Sequence, residues 1–302
     1  MAQPALAAAL PRTHPRPGDV LELLKPLTWF PPVWAFGCGA VASGAVLQRW
    51  PLALLGLLLV GPLVCGMSQA VNDWFDRHVD AVNEPDRPIP SGRIPGRWGL
   101  GLALAWTALS LLVGALLGPW GFAATLLGVA LAWAYSAPPL RLKRNGWLGN
   151  AACGLCYETL PWITAAAVLS GQALTPRLLL VALLYGAGAH GIMTLNDFKS
   201  VEGDRRFGIR TLPVQLGPAL AGRVACLAMA LPQLAVAALL LRWGATWQAA
   251  TVALLLLGQL GLMLRLLRDP RGLAPWYGAT GVSLYVLGML ASAHALRPDS
   301  VG

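Results

Sequence analysis

The chain has 302 residues, of which 56% are hydrophobic and only 12% charged, and it carries a formal net charge of +9. Ordinary soluble domains are about 25% charged, so the composition excludes a soluble globular protein and describes one that crosses a membrane repeatedly. The basic excess is read as loop charge marking the cytoplasmic side, and no nucleic-acid partner is expected.

A bilayer crossing needs about 20 apolar residues, which leaves room for nine. Residues 1–25, with Pro4, Pro11, Pro15 and Pro17 beside Arg12 and Arg16, lack a continuous apolar core and are expected to form a flexible cytoplasmic tail, not a signal peptide. Residues 26–302 are then one transmembrane domain. Spans are predicted over about 27–48, 52–72, 98–118, 119–137, 149–170, 176–196, 219–241, 246–264 and 273–295. Of the 22 Lys and Arg residues, 18 fall in the tail, in the loops after the second, fourth, sixth and eighth spans or, for Arg223, at the start of the seventh span beside the sixth loop. Only Arg49, Arg177, Arg242 and Arg297 lie on the other side. The positive-inside rule therefore places the N-terminus in the cytoplasm. The predicted fold is all-α: a bundle of nine helices around a central cavity.

Eight of the 13 acids sit in two of the cytoplasmic stretches. The first holds Asp73, Asp76, Asp80, Glu84 and Asp86; the second holds Asp197, Glu202 and Asp204. Nothing in the positive-inside rule asks for acids. The two stretches, 72–97 and 196–213, also resemble each other. Asn72-Asp73 precedes acids and then Arg87-Pro88-Ile89-Pro90, while Asn196-Asp197 precedes acids and then Arg210-Thr211-Leu212-Pro213. The offset is 124 residues at the Asn-Asp pair and 123 at the arginine, which suggests two pseudo-repeats facing one cavity.

On a helix Asp73, Asp76 and Asp80 share one face, within reach of a single ion. Mg²⁺ favours one or two carboxylates, water and substrate phosphate oxygens, and it reverses the sign of an acidic site toward a diphosphate. The expectation is two Mg²⁺ ions: one on Asp73, Asp76 and Asp80, the other on Asp197 and Asp204, with Asn72 and Asn196 as further oxygen ligands. Arg87, Lys143, Lys199 and Arg210 remain for direct binding of phosphate oxygens. A diphosphate site at the mouth of an apolar bundle implies a lipidic substrate, whose head leaves with the metals while an acceptor traps an allylic carbocation.

Four stretches carry a resemblance: Asn72-Asp73-x-x-Asp76-x-x-x-Asp80; Asn83-Glu84-Pro85-x-Arg87-Pro88-Ile89-Pro90-Ser91-Gly92; Tyr135-Ser136-Ala137-Pro138-Pro139-Leu140-Arg141-Leu142-Lys143; and Asn196-Asp197-Phe198-Lys199-Ser200-Val201-Glu202-Gly203-Asp204-Arg205. They resemble the UbiA-type intramembrane prenyltransferases, and within them the branch of chlorophyll and bacteriochlorophyll synthases, the bacterial members most closely. The resemblance implies a nine-helix bundle with Asp73, Asp76, Asp197 and Asp204 catalytic through Mg²⁺, and with Tyr135 added to the diphosphate-binding set. It implies transfer of a geranylgeranyl or phytyl group from its diphosphate to the 17-propionate of a (bacterio)chlorophyllide. The setting would be a bacterial inner, photosynthetic membrane, with the site facing the cytoplasm and with other pigment-biosynthesis or photosynthetic proteins as neighbours. Many members carry an acid where Ser200 stands; in this branch the serine is the expected form, and the ligands of the second ion stay open. The alternatives are a prenyltransferase acting on a quinone-precursor ring and a non-catalytic carrier or pigment-binding protein.

Two ionisable residues, Glu158 and His190, fall inside predicted spans, where charge is costly and points to function. His190 as a ligand of the chlorin magnesium and Glu158 as an orienting group for the acceptor are weighed against simple helix–helix hydrogen bonds. His78 is expected to pair with Asp73 or Asp80. The five cysteines, Cys153-x-x-Cys156 included, read as small apolar packing residues.

Overall fold

The computed structural model describes residues 13–298. Among them there is no β-strand, and one isolated bridge joins Asn145 to Arg210. That follows from the composition, because in lipid each backbone N–H and C=O must be satisfied inside its own segment.

The described chain opens with α1 (Pro17–Leu23). Proline at its first position and Asp19 in its first turn favour a helix start, and Leu23 is fully buried. A flexible tail over 1–25 is therefore not what residues 17–25 form. Arg93 donates to Asp19 at 3.0 Å and to both Glu22 oxygens, tying α1 to the loop that follows the first acid cluster. Residues 1–12 lie outside the described residues.

After a 3₁₀ turn, Pro26–Trp29, comes α2 (Phe30–Ser43), ended by Gly44 in the left-handed region at φ 67°, where glycine carries no Cβ penalty. The next segment is α3 (Trp50–Leu58), a π-helical turn (Leu59–Cys65) around Pro62, and α4 (Gly66–Asn83). Pro62 has no N–H to give, and its carbonyl accepts from Trp106 Nε1 at 3.2 Å. Then follow α5 (Trp98–Leu116), α6 (Gly118–Ser136), and α7 (Gly146–Gly154), which passes through a second π turn (Leu155–Thr159) into α8 (Leu160–Ser170). α9 (Pro176–Asn196) leads through a 3₁₀ turn to α10 (Val201–Arg206); α11 (Leu212–Arg242), α12 (Thr246–Leu266) and α13 (Pro270–Ala295) complete the order.

Six helical segments among the described residues are long and apolar enough to cross a membrane: Trp50–Asn83, Trp98–Leu116, Gly146–Ser170, Pro176–Arg206, Leu212–Arg242 and Thr246–Leu266. The helices over 30–43, 118–136 and 270–295 are too short or too diluted by Gly, Pro, Trp and Tyr to pass the same test. The acid-rich stretches are less loop-like than expected. Residues 72–83 continue α4, and most of 196–206 is helical, because the backbone keeps its hydrogen bonds after the side chains turn polar.

The core lies among α2, α8, α9, α11 and α13. Trp162 stacks on Tyr185 with ring centres 5.7 Å apart, and Tyr285 meets Tyr185 edge-on at 5.3 Å while donating to the Tyr185 carbonyl at 2.6 Å. Gln233 and Gln259 exchange amide hydrogen bonds at 2.8 and 3.1 Å between α11 and α12, so neither buried amide is left unpaired.

One close approach positions the site. A Cβ on Gly154 would stand 2.2 Å from the Gly186 carbonyl oxygen, so α7 and α9 touch through their backbones. Gly154→Leu is expected to push α7 from α9 and lower the detergent-solubilised melting temperature by several degrees, an overpacking cost of about 1–3 kcal/mol. An unchanged melting temperature would contradict the contact.

Candidate active site

The C-terminal half of α4 carries four polar side chains at helical spacing. Asn72 donates to Ser136 Oγ of α6 at 3.3 Å. Asp73, 1% exposed, accepts from Lys25 Nζ at 2.6 Å and from Arg87 Nη1 at 3.5 Å, both at Oδ1. Asp80 accepts from the same Arg87 nitrogen at 2.9 Å. Asp76 turns the other way, to Lys143 at 2.5 Å and Arg141 at 3.3 Å. Burial lowers the Lys143 pKa, against the pull of the Asp76 carboxylate.

The three α4 carboxylates thus do not close on one point. No three His, Cys, Asp or Glu side chains among the described residues gather into a metal cage. The physical reason is the supply of cations: each acid has a basic partner brought from a separate segment. Those partners are held by strained backbone. Lys25 and Arg141 are the two non-glycine residues with positive φ among those described, at 47° and 44°. A left-handed conformation at such residues costs about 1–2 kcal/mol, and here it directs one cation at Asp73 and the other at Asp76. His78 pairs with neither acid; Lys25 and Arg87 stand where it was expected.

The second cluster is built on the end of α9 and on α10. The touching backbones of α7 and α9 let Asn150 Nδ2 reach Thr194 Oγ1 at 3.2 Å and Asp197 Oδ2 at 3.4 Å. Asp204 Oδ2 accepts from Ser200 Oγ at 2.8 Å and Thr211 Oγ1 at 3.1 Å, so Ser200 serves the carboxylate as a hydrogen-bond donor. The loops carrying Lys143 and Arg210 are stitched by Gly146 N–H to the Arg210 carbonyl at 2.8 Å and Arg210 N–H to the Arg144 carbonyl at 2.9 Å. The two acidic stretches meet as well: a Cβ on Gly203 would lie 3.2 Å from Asn83 Nδ2.

Beneath them opens a cavity of about 890 Å³. Its lining includes six of the residues singled out in the sequence, Asn72, Arg87, Tyr135, Glu158, Asn196 and Lys199, and adds Lys25 and Arg271. Apolar walls come from α2, α6, α9 and α13, with Phe30, Leu131, Ile192 and Val286 among them. His190 does not line it; its ring packs on Trp147 at 5.5 Å. Arg210 is exposed and takes part through its backbone. Sequence reasoning missed Lys25, which was assigned to a tail, and the Gln69–Tyr157 pair, joined at 3.0 Å on the cavity wall. A lysine directly before Pro26 at the mouth of the first apolar segment was the available signal.

The donor set suits a hard divalent cation. Carboxylate and amide oxygens are what Mg²⁺ prefers, and Asp73 Oδ2 is buried without a hydrogen-bond partner, an oxygen lone pair with nothing to satisfy it. Cations and acids on one rim over an apolar cavity define a site for a charged head with a hydrocarbon tail.

The sequence matches the UbiA prenyltransferase family over residues 29–293, and the chain belongs to that family: it is a prenyltransferase and a multi-pass membrane protein. It is 61% identical to the Bacteriochlorophyll synthase 33 kDa chain of Cereibacter sphaeroides over 288 residues, covering 95% of each chain. It is 40% identical to the chloroplastic Chlorophyll synthase of Avena sativa over 91% of this chain and 75% of that one. The fold matches a UbiA homolog from Archaeoglobus fulgidus bound to DMAPP and Mg²⁺, with a TM-score of 0.68, 20% identity, and coverage of 90% of this chain and 99% of that one.

Proposed function

We propose that the chain makes bacteriochlorophyll by esterifying the 17-propionate of a bacteriochlorophyllide with a geranylgeranyl or phytyl group taken from the prenyl diphosphate. The observation that carries this is the near-full-length similarity to bacteriochlorophyll synthases, joined to a rim of acids and cations over an apolar cavity. The chain crosses the membrane nine times with its N-terminus and active site on the cytoplasmic side of a bacterial inner membrane. Helices over each predicted span and the basic bias of one set of loops support that topology.

The diphosphate lies at the rim, between Asn72-Asp73 and Asn196-Asp197. Mg²⁺ held by carboxylates of the two clusters would offset the negative charge that builds on the leaving group. Asp73, Asp76 and Asp80 on one side and Asp197 and Asp204 on the other would hold it, with the Asn72 and Asn196 carbonyls beside them, two ions in all. Lys25, Arg87 and Lys199 take phosphate oxygens directly, the first two exchanging part of their contact with Asp73 and Asp80 for contact with substrate. The tail occupies the apolar walls. The allylic C–O bond to diphosphate breaks, the propionate oxygen forms the new C–O bond, and diphosphate leaves with the electron pair of the broken bond. The nucleophile is already an anion, so no protein base is needed, and the cavity keeps water from the cation.

Purified protein given geranylgeranyl diphosphate, Mg²⁺ and either bacteriochlorophyllide or 4-hydroxybenzoate tests the reading by product mass. The tetrapyrrole ester is the expected product. Prenylated 4-hydroxybenzoate without any tetrapyrrole ester would replace the acceptor assignment with a quinone precursor.

A further inference from the structure

Among the described residues, Glu158 is the sole acid lining the cavity. It is 4% exposed, and its Oε2 is buried with no hydrogen-bond partner. It sits in the π turn Leu155–Thr159, twelve residues into the segment that begins at Gly146, or about 18 Å along a helix axis. That depth separates it from the rim where the other acids meet their cations. An acid without a partner at such a place is costly to keep, and a helix–helix hydrogen bond does not explain it because Oε2 makes none.

The substrates narrow what it meets. A prenyl tail offers an oxygen ligand nothing to bind. The tetrapyrrole carries a magnesium ion with an open axial position, a hard cation that favours oxygen. Of the other polar groups on the wall, Gln69 Nε2 donates to the Tyr157 hydroxyl at 3.0 Å and Asn72 Nδ2 to Ser136 Oγ at 3.3 Å, and their neutral amide oxygens match a hard cation less well than a carboxylate does. Cys153 and Cys156 offer soft sulfur. Among the described residues no histidine lines the cavity, and His190, the residue the sequence suggested for this task, packs on Trp147 outside it.

We propose that the Glu158 carboxylate is the axial ligand of the magnesium in the tetrapyrrole acceptor, holding the macrocycle by its centre while its propionate reaches the rim. The proposal rests on the acceptor assigned above. Ligation also makes Glu158 a specificity residue: it selects the metal-bearing macrocycle over its metal-free counterpart.

The test is equilibrium binding to wild type, Glu158→Leu and Glu158→Gln in lipid nanodiscs. Each is titrated with bacteriochlorophyllide and with the magnesium-free bacteriopheophorbide, and the visible absorption band sensitive to magnesium coordination is recorded. Prenyl diphosphate binding by the same samples reports that the site is folded. Wild type is expected to favour the magnesium form by roughly 10–100-fold. Glu158→Leu brings that ratio near unity and shifts the band, and Glu158→Gln, which keeps a carbonyl oxygen, falls between. An unchanged ratio and band in Glu158→Leu overturns the proposal, as does an equal loss for both pigments with prenyl diphosphate binding retained. A wild type that binds no tetrapyrrole yet prenylates 4-hydroxybenzoate overturns the acceptor assignment itself, which the two pigments then cannot mimic.

Discussion

Replacing Asp73 by Asn is expected to reduce ester formation by about 10²–10³-fold, the loss typical of removing one electrostatic group from a preorganised site, with the protein still inserted in the membrane. Asp73 is almost wholly buried, and its Oδ1 holds Lys25 at 2.6 Å. The neutral amide keeps the shape of the carboxylate but loses the charge that orders Lys25 and Arg87 and the oxygen pair that suits a divalent ion. Apolar packing of α4 is untouched, since Met67, Ala70 and Val71 supply the buried face of that helix. Kinetics of the purified variant beside its yield in membranes separates the effects. Full activity with normal yield would remove Asp73 from the site.

The second large effect concerns the other cluster and its metal. Asp197→Ala is expected to lose activity on the same order, and chelation of divalent metal from wild type should abolish ester formation until Mg²⁺ is restored. Asp197 is held by Asn150 at 3.4 Å and has no ion pair among the described residues, in contrast with Asp73, Asp76 and Asp80, each tied to a Lys or Arg. It therefore stands ready for a cation. Raising Mg²⁺ should recover part of the activity of Asp197→Ala by occupying the weakened position, seen as a steeper Mg²⁺ dependence of rate. Equal activity with and without chelator would contradict metal assistance by either cluster.

Much of the site was legible in the residues because its signals are local. Asn72-Asp73-x-x-Asp76-x-x-x-Asp80 and Asn196 to Asp204 are runs of neighbours, and their similar order at offsets of 124 and 123 residues is visible by eye. The helical segments were also close to plan, since apolar length is a composition property. What escaped depended on distance or on helical phase. Lys25 serves Asp73 from 48 residues away, and no local pattern connects them. Arg141 reaches Asp76 from a left-handed turn, a conformation the sequence around it does not announce. Glu158 and His190 looked alike, both being ionisable residues in apolar segments. The π turn beneath Glu158 adds a residue to one turn and resets which side chains face inward; a regular period of 3.6 cannot foresee that one would enter the cavity and the other pack on Trp147. Spacing places the first acid cluster on one helix face, whereas the cations that pair with each acid come from other segments.

The most direct measurement follows the oxygens. Acceptor bearing ¹⁸O in both propionate oxygens is given to the purified protein with geranylgeranyl diphosphate and Mg²⁺, and the ester and diphosphate are weighed by mass spectrometry. If the propionate attacks the allylic carbon while diphosphate departs, the ester keeps both labelled oxygens and the released diphosphate carries none. An ester that has lost one label, with ¹⁸O appearing in phosphate, would mean that the carboxyl group itself is activated, and would contradict prenyl transfer by ionisation at this site.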